Sequence, residues 1–130
     1  MSTIQFGTVE VYEEMARLLN EDTQWLEDAK NISFTMIYAY GEPVNAAFYV
    51  RFDAGRVVDV HQLASAADEP ADFVISGSAD VWRGVLEKRV SPTAALTRGQ
   101  LKLKGKMTTL MKHMGQFSHV LDTMSQVQFV

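Results

Sequence analysis

The chain has 130 residues, 47% apolar and 22% charged, with no cysteine and a formal net charge of −4. This predicts one globular domain over residues 1–130, large enough for its own core and without disulfides, thiolate catalysis or Cys-based metal sites. The acidic balance argues against nucleic acid as a partner and against attraction of the whole chain to an anionic membrane.

From the N-terminus, Val11, Met15, Leu18 and Leu19 recur at helical spacing between Thr8 and Leu19, with Glu10, Glu13 and Glu14 early in the segment. Acidic side chains there complement the positive end of a helix. Asp22 is placed to cap a short second helix through Trp25 and Leu26. The period then changes. Asn31 to Tyr40 alternates, with Ile32, Phe34, Met36, Tyr38 and Tyr40 on one face and Ser33, Thr35, Ile37 and Ala39 on the other. After the turn Gly41-Glu-Pro43, Val44 to Phe52 alternates again. After Asp53-Ala-Gly55, Arg56 to His61 makes a third strand. Together these predict a three-stranded antiparallel meander loaded with aromatic residues: Phe34, Tyr38, Tyr40, Phe48, Tyr49 and Phe52.

Ser65 to Pro70 reads as a loop and Asp72 to Gly77 as a fourth strand. Ser78 is an N-cap for a helix carrying Val81, Trp82, Val85 and Leu86. Ser91 caps the next turn, Pro92 suits its first position and Gly99 its end. Gln100 to Lys104 predicts a fifth strand with Leu101 and Leu103 inward. Lys102, Lys104 and Lys106 alternate outward; a charged guard on a sheet edge is the plainer reading, a contact for an acyl-CoA phosphate or lipid headgroup the sharper one.

The last helix is expected over Met107 to Met124. At ~100° per residue, Met107, Leu110, Met111, Met114, Phe117 and Leu121 share one arc, with Met124 at its edge. Four of the seven methionines lie on this side. Met is flexible and polarizable, so such a surface repacks around irregular neighbours. Core packing and a ligand wall are both open readings of this arc.

The joints carry a resemblance. Ile75-Ser-Gly-Ser-Ala-Asp-Val-Trp82, Ser91-Pro-Thr-Ala-Ala-Leu96 and Gly99-Gln-Leu-Lys-Leu-Lys-Gly-Lys-Met107, in that order, resemble the sterol carrier protein type 2 family of lipid-binding domains. The specific part covers roughly residues 73–114, the element order nearly the whole chain. The resemblance implies an α/β (α+β) fold, a five-stranded, mostly antiparallel sheet covered by helices, with an apolar tunnel for sterols, fatty acids, acyl-CoA or quinone precursors. Two departures stand out. Lys106 occupies the position before the last helix where an Asp or Asn cap is usual, so Thr108 or Thr109 is expected to cap and the helix to start later. The C-terminal Ser-Lys-Leu peroxisomal address is missing; with no secretory leader or membrane-length apolar run visible, the expected location is the cytoplasm.

Reactive chemistry is sparse. His113 and His119 are six residues apart and project ~120° apart around a helix, and no His-x-x-x-His pair exists. Ser76-Gly-Ser78 lacks the flanking glycines of a nucleophile elbow and is better explained as strand exit and cap. No Gly-rich phosphate loop appears. Neither catalytic residue, metal nor cofactor is therefore expected.

The expected function is non-catalytic binding of a hydrophobic small molecule, lined by Phe34, Met36, Phe48, Val50, Val81, Trp82, Val85, Leu110, Met111, Met114, Phe117 and Leu121. Ser33, Thr35 and Tyr49, on the opposite strand face, are expected to stay outside the pocket. Opening is expected to need a shift of the C-terminal helix. The alternative is an interaction module or accessory subunit that uses the same apolar surfaces to form a homodimer or dock on a lipid- or quinone-metabolising enzyme. Membrane contact is expected to be transient at most.

Overall fold

A computed structural model describes residues 4–127. Residues 1–3 and 128–130 lie outside this range. Helices α1 (Val9–Glu21) and α2 (Thr23–Asp28) lead into strands β1 (Thr35–Tyr40), β2 (Ala46–Asp53) and β3 (Arg56–Leu63). Then follow β4 (Phe73–Gly77), α3 (Ala79–Leu86), α4 (Pro92–Thr97), β5 (Lys102–Lys104), α5 (Met107–Lys112) and α6 (Met114–Gln126).

The strands form one sheet in the order β3-β2-β1-β4-β5. β1 and β4 run parallel; the other three pairs are antiparallel. The meander and the mostly antiparallel five-stranded sheet are thus as expected. Among the described residues no helix is long and apolar enough to cross a membrane.

Local chemistry explains the joints. Asp22 accepts from the Trp25 N–H at 3.1 Å, Ser78 from Val81 at 3.2 Å and Ser91 from Ala94 at 3.3 Å, each satisfying an orphan donor in a first helical turn. α4 ends against Gly99, whose φ of +74° suits glycine. The free edge of β3 is met by α1: the Asn20 amide donates to the Val57 carbonyl at 3.0 Å and accepts from its N–H at 2.8 Å, standing in for a neighbouring strand.

The even-numbered residues of β1 and β2 face the helices. Met36 opposes Val50 and Tyr38 opposes Phe48 across the strands, and all four are fully buried. Tyr12 enters from α1, stacks on Phe48 at 4.7 Å and shares a 2.7 Å hydrogen bond with the Tyr40 hydroxyl. Burial holds the phenols of Tyr12, Tyr38 and Tyr40 well above their ordinary pKa, so this end of the core stays neutral.

The other sheet face departs from the alternation pattern. Ile37, Ala47, Tyr49 and Leu63 form a second buried cluster there, packed against Ala66, Ala71 and Val74. The loop after β3 folds back over it. His61 stacks on Tyr49 at 4.6 Å and meets Glu69 of that loop at 2.6 Å and Asp59 at 3.3 Å. Tyr49 remains outside the helix-covered layer, but it is buried.

Candidate apolar binding site between sheet and helices

The remaining helices lie over the inner face of the sheet, and the site is built where they meet it. Two small apolar voids occupy this layer. The first, of about 10 Å³, has Ile75 and Leu103 as its floor, Pro92, Thr93 and Leu96 of α4 on one side, and Leu110, Met114, Phe117, Ser118 and Leu121 as its roof. The second, also about 10 Å³, lies between Trp25, Ile32, Phe34, Phe52, Gln116, Phe117 and Val120. Phe117 borders both. Its ring stacks on Phe34 at 5.4 Å and meets Phe73 edge-on at 5.5 Å. No charged side chain lines either void; Thr93, Ser118 and Gln116 are the polar groups.

Pockets that hold small ligands have volumes of ~300–1,000 Å³. The voids are far below that, so the interior is closed around two seeds of space, and a ligand can be seated only by displacing side chains or helices. A larger hollow of about 440 Å³ lies at the C-terminal ends of β1 and β4, lined by Tyr40, Ser76, Ser78, Gln100 and Lys102 among others, but it is wide open to solvent and does not enclose a ligand.

The roof divides unequally. The expected single helix from Met107 is broken at His113, whose φ and ψ of −112° and 23° leave the helical region. α5 is therefore a six-residue helix whose only fully buried side chain is Leu110. It begins directly at Met107: Lys106 occupies the cap position without a side-chain hydrogen bond, and neither threonine replaces it. α6 is fastened more firmly. His119 Nε2 lies 2.9 Å from Asp22 Oδ2, Gln116 donates to the Asp28 carbonyl at 3.3 Å, and the His119 ring rests 5.3 Å from Trp25. Asp22 thus caps α2 and holds α6; those hydrogen bonds, led by the one from the Trp25 N–H, lower its carboxyl pKa.

Five of the twelve expected lining residues border the voids: Phe34 the second, Leu110, Met114 and Leu121 the first, and Phe117 both. Met36, Phe48, Val50, Trp82 and Val85 are buried in the same continuous core, beyond the void walls, and Val81 packs at its margin. Trp82 is fixed by its indole N–H donating to the Ala39 carbonyl at 2.9 Å. Met111 is a correction. It is 65% exposed, as Met107 is at 58%, because the break at His113 leaves α5 to pack through Leu110 alone. The fifth strand is corrected too: Gly105, at φ +139°, ends it, so Lys106 belongs to the approach to α5 and not to the strand face. Ile75, Leu96 and Leu103 were absent from the expected lining set. Their apolar character was visible, but their convergence depends on the crossover from β4 through α4 to β5.

Comparisons with known proteins agree with this architecture. A family model described as the SCP-2 sterol transfer family matches residues 15–118. A crystal structure titled sterol carrier protein 2 is similar at 24% identity and a TM-score of 0.86, over 95% of this chain and 100% of its own. A protein from Thermus thermophilus, described as possibly a sterol carrier protein, is similar at 23% identity and a TM-score of 0.84, covering 100% of this chain and 94% of its own. Sterol carrier protein 2 from Yarrowia lipolytica is similar at 17% identity and a TM-score of 0.61, over 97% of this chain and 98% of its own. A comparison with curated proteins finds no match.

Proposed function

The chain belongs to the SCP-2 sterol transfer family, and from that premise we propose that it binds a hydrophobic small molecule between the sheet and the α4–α6 roof and releases it unchanged. The observation that carries this reading is the pair of uncharged, apolar voids that meet at Phe117 beneath a helix broken at His113. Each void marks a place where the packing is already incomplete, and an apolar chain would enter there by displacing the side chains around it. Binding needs no reactive group, because burying a methylene gains about 0.8 kcal/mol. A fatty acyl, sterol or isoprenoid ligand would thread from the first void past Phe117 toward the second, with Thr93 and Ser118 available to a polar end. α5 would yield first, since Leu110 alone anchors it, while the His119–Asp22 contact keeps α6 registered on α2.

Native mass spectrometry of delipidated protein with palmitate, cholesterol and an isoprenoid quinone tests this reading. A one-to-one adduct with at least one of them, lost on adding an apolar competitor, is the expected result. A mass that stays apo with all three, or that shifts only to a dimer, would overturn it; the dimer would indicate an interaction module instead.

A further inference from the structure

Net charge conceals a division within the chain. Residues 88–121 hold seven of the twelve Lys and Arg and none of the sixteen Asp and Glu. The rest of the molecule is therefore much more acidic than −4 suggests, and this segment is strongly basic. Lys102 and Lys104 project from β5, an edge strand, and Lys106 and Lys112 bracket α5; all four are exposed. Among the described residues none of the four makes an ion pair. The nearby Asp72 spends its carboxylate on the Thr35 N–H and hydroxyl.

Within this basic ground lie Met107 and Met111, one turn apart on α5 and therefore on one side of it. Among the described residues only these two and Val58 are large apolar side chains left exposed. Two flexible apolar side chains on a short helix, ringed by lysines with long aliphatic stems, match what an interfacial segment presents to a bilayer: apolar atoms reach the acyl boundary while ammonium groups stay among the headgroups. Two methionines are too small a patch for a stable protein interface, which needs ~800 Å² per partner. From this charge complementarity and geometry we infer that the β5–α5 corner is a docking surface for an anionic lipid bilayer. α1, with Glu10, Glu13, Glu14 and Glu21, would be turned away by the same field.

Docking there presses the least anchored part of the roof against the lipid. Leu110, on the inward side of α5, borders the first void. The surface stands on its own evidence and does not require that the core accept a ligand.

The test is flotation of the full chain with vesicles of phosphatidylcholine alone and of phosphatidylcholine with phosphatidylserine in equal parts. Retention is expected only on the anionic vesicles at about 0.1 M salt, and is expected to vanish near 1 M, where the screening length falls from ~10 to ~3 Å. Lys104→Glu and Lys106→Glu should each weaken retention by about fivefold or more. The double variant Met107→Ser/Met111→Ser, on exposed positions that leave folding intact, should lower it about tenfold. Lys30→Glu, which changes net charge equally at the acidic end of the molecule, should leave it unchanged. Equal retention on both vesicle types, insensitivity to the Met pair, or an equal loss with Lys30→Glu would overturn the proposal. So would absence of vesicle binding with a concentration-dependent dimer in sedimentation, which would assign the patch to a second copy. Palmitate uptake in solution, measured on the same samples, separates failure of this surface from failure of the ligand-binding reading.

Discussion

Phe117→Ala is the sharpest probe of the interior. The ring is nearly fully buried and forms the partition between the two voids. Removing a buried Phe costs about 3–5 kcal/mol, rising with the cavity left behind. Here the upper half of that range is expected, for two reasons. The stacked contact with Phe34 and the edge contact with Phe73 each add about 0.5–1.5 kcal/mol beyond burial. The lost ring also adjoins two existing voids, and the sheet behind them cannot collapse to fill the space. For a domain of this size the loss corresponds to roughly 12–20 °C in Tm. Urea unfolding followed by Trp fluorescence measures the first quantity and calorimetry the second. The variant also joins the voids into one apolar cavity, so its ligand response should move in the opposite sense. Palmitate at about a hundred times its Kd restores about 2.7 kcal/mol to any state that binds it, and half-saturation should require less palmitate than in the parent chain. A folded Phe117→Ala protein that loses less than about 1.5 kcal/mol, or that binds palmitate more weakly than the parent, would refute the idea that Phe117 divides a latent ligand channel.

Other outcomes follow from the same geometry. Met111→Glu should fold normally and keep its uptake of apolar ligand, because the side chain is already in water; loss of solution binding would return it to the pocket wall. Gly105→Ala places a Cβ 2.5 Å from Phe73 Cδ1 and 2.6 Å from the Asp72 carbonyl at a φ of +139°, so a loss of about 2–4 kcal/mol is expected in urea titration. Asp22→Ala removes the α2 cap and the partner of His119 together, for about 1–3 kcal/mol. A double-mutant cycle with His119→Gln should show coupling between the two sites. The Glu69 hydrogen bond, aided by Asp59, raises the pKa of His61 despite partial desolvation. Its stabilising effect is therefore complete below about pH 6.5 and fades as pH rises through the raised value. Both side chains are over a third exposed, so the effect is small, within ~0–1 kcal/mol. It should appear as lower protection factors, corrected for intrinsic exchange, in residues 64–72 at high pH, and His61→Gln should remove that pH dependence.

The parts of the fold legible in the sequence are those decided over a few residues. Ser78, Ser91 and Asp22 declare helix starts because a cap and its N–H partner are three positions apart. The meander declares itself because period-2 alternation is broken by Gly, Pro and Asp. The family resemblance rests on the same joints. What was not legible depends on distance along the chain or on competition between equal local choices. Nothing at His113 forbids a helix, so the arc through Met111 reads as continuous in the sequence, whereas the backbone leaves the helical region there. The tie between His119 and Asp22 spans 97 positions and has no local signature. Ile37 and Tyr49 gave no sign of burial because their cover, the loop carrying Glu69, has no pattern of its own. The lysines of β5 stand out one by one, but a net charge averaged with distant carboxylates hides the basic segment.

The short α5 also sets a timescale. A six-residue helix anchored through one buried leucine can detach at a free energy well below that of global unfolding. Its amides should then exchange with solvent through local opening, while those of β1 and β2 exchange only when the whole domain unfolds. If α5 is the part that yields, the rate at which the interior becomes accessible is governed by this small opening equilibrium, and it can be raised or lowered by changing α5 alone without altering the lifetime of the folded protein.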